Sequence, residues 1–285
     1  MLVTLLLGGG LATLLLLSQF WAVLGVARNW LLCRSVHGGH LRKFRLHPYD
    51  RELFAAVFKP SWRSGVGAIA SLGGAKLCII LFTRTAAADE AAMILLAIQL
   101  MDQLVAFSMV PFYVKLPRFA VLQFQGAREK LISEARRAMF LSHLCFIVPG
   151  VLIALFFGPF LRWIGSSVAF VSAGEWSALL FGYWIWRYGA MHLQLYSTTN
   201  HIIWHYANGL STLALLAVFF VTVPSLGIYA LALANVIAYG LIYCPISLSH
   251  SLRFLQIGLL KFERHNLALA AALFVFVTAA MVTQP

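Results

Sequence analysis

The chain has 285 residues, 61% of them hydrophobic and 11% charged, with a mean hydropathy of +0.86, which leaves too little polar surface to coat a water-soluble globule. The formal net charge is +12, yet the basic residues sit in loops between apolar runs instead of on one soluble face, so a nucleic-acid partner is excluded. Cys33, Cys78, Cys145 and Cys244 are scattered, with no CxxC pair and no His-rich segment at metal spacing; they read as packing residues, and no metal or cofactor is expected.

A helix crossing the hydrocarbon core needs about 20 mainly apolar residues. Residues 2–27 supply the first such run; the run lacks a basic leader and exceeds the ~7–15 apolar residues of a signal segment, so it reads as a retained membrane helix. A basic stretch, 28–63, follows. Its end, DRELFAAVFKPSWR, mixes basic and aromatic residues and predicts an interfacial helix with Phe54, Phe58 and Trp62 toward lipid. Further spans are expected at 65–83, 91–114, 138–160, 176–197, 206–223, 226–247 and 266–283, the sixth and seventh joined by a tight turn at Val223-Pro224-Ser225. The fold class is therefore an all-α membrane protein, a polytopic bundle of about eight transmembrane helices.

Loops kept in the cytoplasm are enriched in Lys and Arg. The segments after the first, third and seventh spans hold 17 of the 21 basic residues, against Arg84 and Arg162 in the other loops. Alternate loops carry the charge, as a helical serpentine requires, so both termini are expected on the non-cytoplasmic side of an inner membrane.

Ionisable groups near the bilayer centre are costly and usually face protein or a water-filled cavity. Lys76, Asp102 and Arg187 each lie about eleven residues into their spans, close to the midplane at a rise of ~1.5 Å per residue. The second and third spans share a short loop, so Asp102 can reach Lys76 and pair with it. Arg187 then leaves one uncompensated positive charge, which suits an anion, phosphate above all, because guanidinium binds two oxygens at once. Gln99 and Gln103 beside Asp102, with His192 and Gln194 beyond Arg187, extend the candidate substrate cavity; each taken singly also suits interhelical hydrogen bonding, and His143 and Asn235 are read the same way. Gly73-Gly74 and Pro111 read as close-packing and kink positions. The outer loops carry only Asp89, Glu90 and Glu175 as acids, and no G-x-S-x-G, H-E-x-x-H or Walker loop is present, so an enzyme is not expected.

Three stretches in order carry a family likeness. FKPSWRSGVGAIASLGG, with Trp62, Arg63 and Gly65, resembles the entry to the seventh helix of polysaccharide or lipid-linked oligosaccharide flippases of the Wzx type, in the superfamily that also holds the MATE exporters. LAIQLMDQLVAFSMVPFYVKLPRFAVLQFQG resembles the next helix, with its Lys-Leu-Pro step at Lys115 to Pro117 and an amphipathic cytoplasmic stretch, and LYSTTNHIIWHYANGLS resembles a later hairpin. The resemblance runs from about residue 58 to 250 and implies a C-terminal lobe. Residues 1–27 would be the last helix of an otherwise missing N-terminal lobe, 28–63 a cytoplasmic linker, 64–250 a six-helix lobe, and 251–285 a loop with an extra helix. It also implies translocation of an undecaprenyl-pyrophosphate-linked sugar, through a cationic cavity that rocking lobes expose alternately. Partners would be that lipid, membrane lipids, and a second lobe or homodimer partner. Rival readings are an H+- or Na+-coupled MATE-like drug exporter using Asp102, a membrane transferase acting on the same lipid carrier, and a non-transporting scaffold in polysaccharide assembly.

Overall fold

The computed structural model describes residues 11–36, 50–264 and 266–282. The start of the first expected span and the basic residues Arg42, Lys43 and Arg45 lie outside the described residues. The chain divides into two compact units, Met1–Ala55 and Ala56–Pro285.

In the first unit, α1 covers Leu11–Val36. It continues well past the expected span end at residue 27. A charged residue ends contact with hydrocarbon but does not end a helix, and no Gly or Pro interrupts Arg28 to Val36.

Helix α2, Arg51–Thr85, runs for 35 residues, about 52 Å, which exceeds the ~30 Å hydrocarbon core. Its start is capped by Asp50, whose Oδ1 accepts from the Glu52 and Leu53 amides at 2.9 and 3.0 Å. A separate interfacial helix at 50–63 is therefore not present: those residues are the first turns of the spanning helix, and Pro60 sits inside it without breaking it.

The order continues with α3 (Ala88–Tyr113), the short amphipathic α4 (Leu116–Phe124), α5 (Arg128–Trp163), α6 (Ala173–Ser197), α7 (Trp204–Leu226), α8 (Tyr229–Leu255), α9 (Leu259–Glu263) and α10 (Asn266–Val282). The fold is an all-α membrane bundle. Among the described residues, five segments are long and apolar enough to cross a membrane: α2, α3 with α4, α5, α7 and α8. That is fewer than the eight expected. Helix α6 has the length but is rich in Trp, Tyr and polar groups, because it is wrapped by protein: Trp176, Leu179, Leu180, Arg187, Met191 and His192 are all buried. Helix α10 has 17 residues.

The turn between α7 and α8 also differs from expectation. Helix α7 carries Pro224 in its last turn, and the chain reverses at Gly227, whose φ of +52 only glycine adopts without strain. Within α8 one wide turn, Tyr239–Tyr243, precedes Pro245. Proline cannot donate to the carbonyl four residues back and its ring crowds that carbonyl, so a widened turn accommodates it.

The core forms two clusters, and α6 contributes to both. One cluster includes Ala97, Met101, Phe146, Trp176, Leu179 and Tyr239; the other, including Phe112, Phe119, Leu131, Met139, Met191, Leu195 and Phe262, lies toward the basic loops. Trp176 Nε1 donates to the Gly150 carbonyl at 2.8 Å, tying α6 to α5. Gly74 of α2 meets α7 so closely that a Cβ there would stand 2.3 Å from Thr212 Cγ2, and Thr212 Oγ1 donates to the Ala70 carbonyl at 3.1 Å.

Hydrogen bonds gather alternate loops at one end. Thr198 Oγ1 donates to Gln123 Oε1 at 2.8 Å, Arg128 Nη1 donates to Gln256 Oε1 at 2.6 Å, and Arg136 Nη2 donates to the Lys261 carbonyl at 2.9 Å. These contacts bring together two of the basic loops singled out by charge, around 115–137 and 253–264.

A candidate functional site at midspan

Lys76 on α2 and Asp102 on α3 form the ion pair that their shared depth suggested: Lys76 Nζ lies 2.6 Å from Asp102 Oδ2. Both side chains stay accessible, at 55% and 39%, and they line a cavity of about 290 Å³. Its walls come from four helices, with Ser71 of α2, Tyr183 and Trp186 of α6, and Asn235 and Tyr239 of α8 beside the pair. The lining is an apolar and aromatic bowl with a few convergent polar groups, the usual make-up of a small-molecule site.

The other expected residues do not all converge there. Gln99 and Gln103 are exposed on α3 and do not line this cavity. Arg187 is 1% exposed; its Nη2 reaches the Ser108 carbonyl at 3.4 Å, while Nε and Nη1 have no hydrogen-bond partner. It does not line the cavity, although its sequence neighbour Trp186 does. Gln194 is half-buried and does not line this cavity.

His192 belongs to a third group at the basic end. Its Nε2 lies 2.9 Å from Glu263 Oε1 and its Nδ1 3.1 Å from Ser251 Oγ, while Asn266 Nδ2 donates to the other Glu263 oxygen. Burial raises the Glu263 carboxyl, but the hydrogen bonds and charge of His192, with the Asn266 amide, outweigh it and hold the group below its ordinary range. An ionised carboxylate only accepts, so Nε2 is the protonated ring nitrogen, and in the neutral ring Nδ1 accepts from Ser251. His143 accepts from Trp184 Nε1 at 3.0 Å through Nδ1, a packing contact within the bundle.

Sequence reasoning passed over Tyr183, Trp186, Tyr239 and Glu263. Tyr183 and Trp186 share a helical face at i, i+3 in the turn that precedes Arg187, which is the signal that marks the cavity wall. Glu263 carries no such signal, because an acid in a basic loop reads as solvated. Among the described residues, no cluster of three or more His, Cys, Asp or Glu side chains could hold a metal ion. No family model, no curated protein and no solved structure matches the chain.

Proposed function

We propose that the chain is a component of a membrane flippase or exporter that moves an anionic, lipid-linked polysaccharide precursor from the cytoplasmic to the outer leaflet of an inner membrane. The observation that carries the reading is the accessible Lys76–Asp102 pair in a midspan cavity. An ion pair whose only task is to join two helices is best sealed from solvent, whereas this one faces open space.

In this reading the Lys76 ammonium exchanges Asp102 for a phosphate oxygen, Tyr183, Asn235 and Tyr239 offer hydrogen bonds to sugar hydroxyls, and the lipid tail stays in the bilayer. Arg187 adds positive potential without lining the cavity and touches substrate only in a conformation that opens its contact with Ser108. The substrate class, an undecaprenyl-pyrophosphate-linked sugar, rests on the resemblance of residues 58–250 to Wzx-type flippases. A second lobe or a second copy of the chain supplies the facing half of the cavity.

The test is reconstitution of the full chain in vesicles that contain a fluorescent polyprenyl-pyrophosphate sugar, with transbilayer movement read by chemical quenching from outside. Movement faster than in protein-free vesicles, abolished in Lys76→Ala with the protein still folded, is the expected result. Movement at the protein-free rate, or a Lys76→Ala rate equal to the parent's, overturns it. A second reading, export of a cation with Asp102 as the coupling carboxylate, is favoured by the exposure of that carboxyl; it predicts proton-gradient-driven uptake of a cationic dye that Asp102→Asn abolishes.

A further inference from the structure

Toward the basic end of α3, beyond the midspan cavity, a groove of about 650 Å³ opens between the end of α3, the start of α4 and α5. It is lined by Pro111, Lys115, Arg118, Glu134, Arg137 and Leu141. We propose that this groove binds the phosphate headgroup of an anionic membrane lipid, a role that does not depend on transport through the cavity.

Three observations lead to it. The only acid in the groove, Glu134, is already satisfied: Arg118 Nε and Nη2 donate to its two oxygens at 2.7 and 2.9 Å. Lys115 and Arg137 are exposed and have no side-chain hydrogen-bond partner among the described residues, and the groove holds three cations against one carboxylate. A phosphodiester offers the acceptors that such unoccupied donors need, and a guanidinium binds it through two oxygens.

The second observation concerns what lies above the groove. At 100° per residue, Arg137, Leu141, Val148, Leu152 and Leu155 of α5 fall within about 60° of one another, and all five are exposed. The apolar part from Leu141 to Leu155 rises about 21 Å, enough to cover the ~15 Å of hydrocarbon in one leaflet. Phe107 and Val110 of α3, and Val114 just after it, are likewise exposed. A cationic mouth with an apolar track that covers one leaflet fits an amphiphile whose acyl chains run along α5, and does not fit a soluble anion.

Third, Arg137 also lines a neighbouring groove with Ser133, Arg136 and Arg264. Positive potential therefore continues past the first groove along the headgroup region, where each added Lys or Arg strengthens attraction to an anionic surface.

The experiment is native mass spectrometry of the purified full chain with phosphatidylglycerol and phosphatidylcholine of the same acyl chains. The expected result is preferential retention of phosphatidylglycerol by about tenfold or more, lost in Lys115→Ala/Arg137→Ala and kept in Arg162→Ala, a basic residue at the opposite end of α5. If the double variant does not fold, Arg137→Gln alone, an exposed side chain without a partner among the described residues, carries the same test. Equal retention of the two lipids, or an unchanged preference in the variant, overturns the proposal. So does displacement of the lipid by inorganic phosphate at millimolar concentration, which would mark a soluble-anion site.

Discussion

Glu263 is 3% exposed and is held in its charged form by His192 and Asn266 from two other elements. Removing one partner of such a buried pair leaves an uncompensated charge, so His192→Ala is expected to destabilise the protein by about 3–5 kcal/mol, read as a lower unfolding temperature in detergent. The pH dependence follows from the direction of the shift. A carboxyl whose folded value lies below its ordinary 4.5 contributes stability that is fully present above that value and is lost as pH falls through the folded value. The unfolding temperature should therefore change little between pH 7 and 5 on account of this group and fall below about pH 4.5, and Glu263→Gln should flatten that acid limb. At this scale the sequence was informative where chemistry forced an answer: two opposite charges at one depth in lipid, Lys76 and Asp102, had to find each other or protein. It was silent on Glu263, because only the fold of α9 under α6 makes that carboxylate a buried one.

The contact between α2 and α7 depends on the absence of a side chain at Gly74. Gly74→Ala puts a methyl group where Thr212 Cγ2 already stands, and overpacking of this kind costs about 1–3 kcal/mol. Thr212→Ser removes that methyl while keeping the hydroxyl that donates to the Ala70 carbonyl, so the double variant should recover most of the loss. A double-mutant cycle of unfolding temperatures measures this; additive effects would mean that the helices separate instead of repacking. Element boundaries show why hydropathy located the helices better than it located their ends. It reports where contact with hydrocarbon stops, whereas α2 and α5 already begin at Arg51 and Arg128 and α8 runs on past Arg253, because a charged residue does not break a helix. The same principle makes α6 look weak as a span: its Trp184, Arg187 and His192 face protein, so the helix at the centre of the bundle is the least apolar of those that bury most.

For the molecule as a whole, the hydrogen bonds from Thr198 to Gln123 and from Arg128 to Gln256 bring the segments after α3, α6 and α8 to one end of the bundle. The alternation of basic loops, read from sequence, and the serpentine path of the helices therefore describe one polarity. The bias toward Lys and Arg at that end predicts that it faces the cytoplasm, with the end of α10 on the opposite side. Single-cysteine labelling tests this: in a chain whose native cysteines are replaced, Ser167→Cys in the exposed α5–α6 loop should react with a membrane-impermeant maleimide in intact spheroplasts, and Gln256→Cys only after permeabilisation. The reverse pattern would invert the molecule and place the Lys115–Arg137 groove in the outer leaflet. Reaction of both sites from outside would break the serpentine itself. Orientation therefore decides more than topology, because it fixes the leaflet whose anionic lipids can meet the groove.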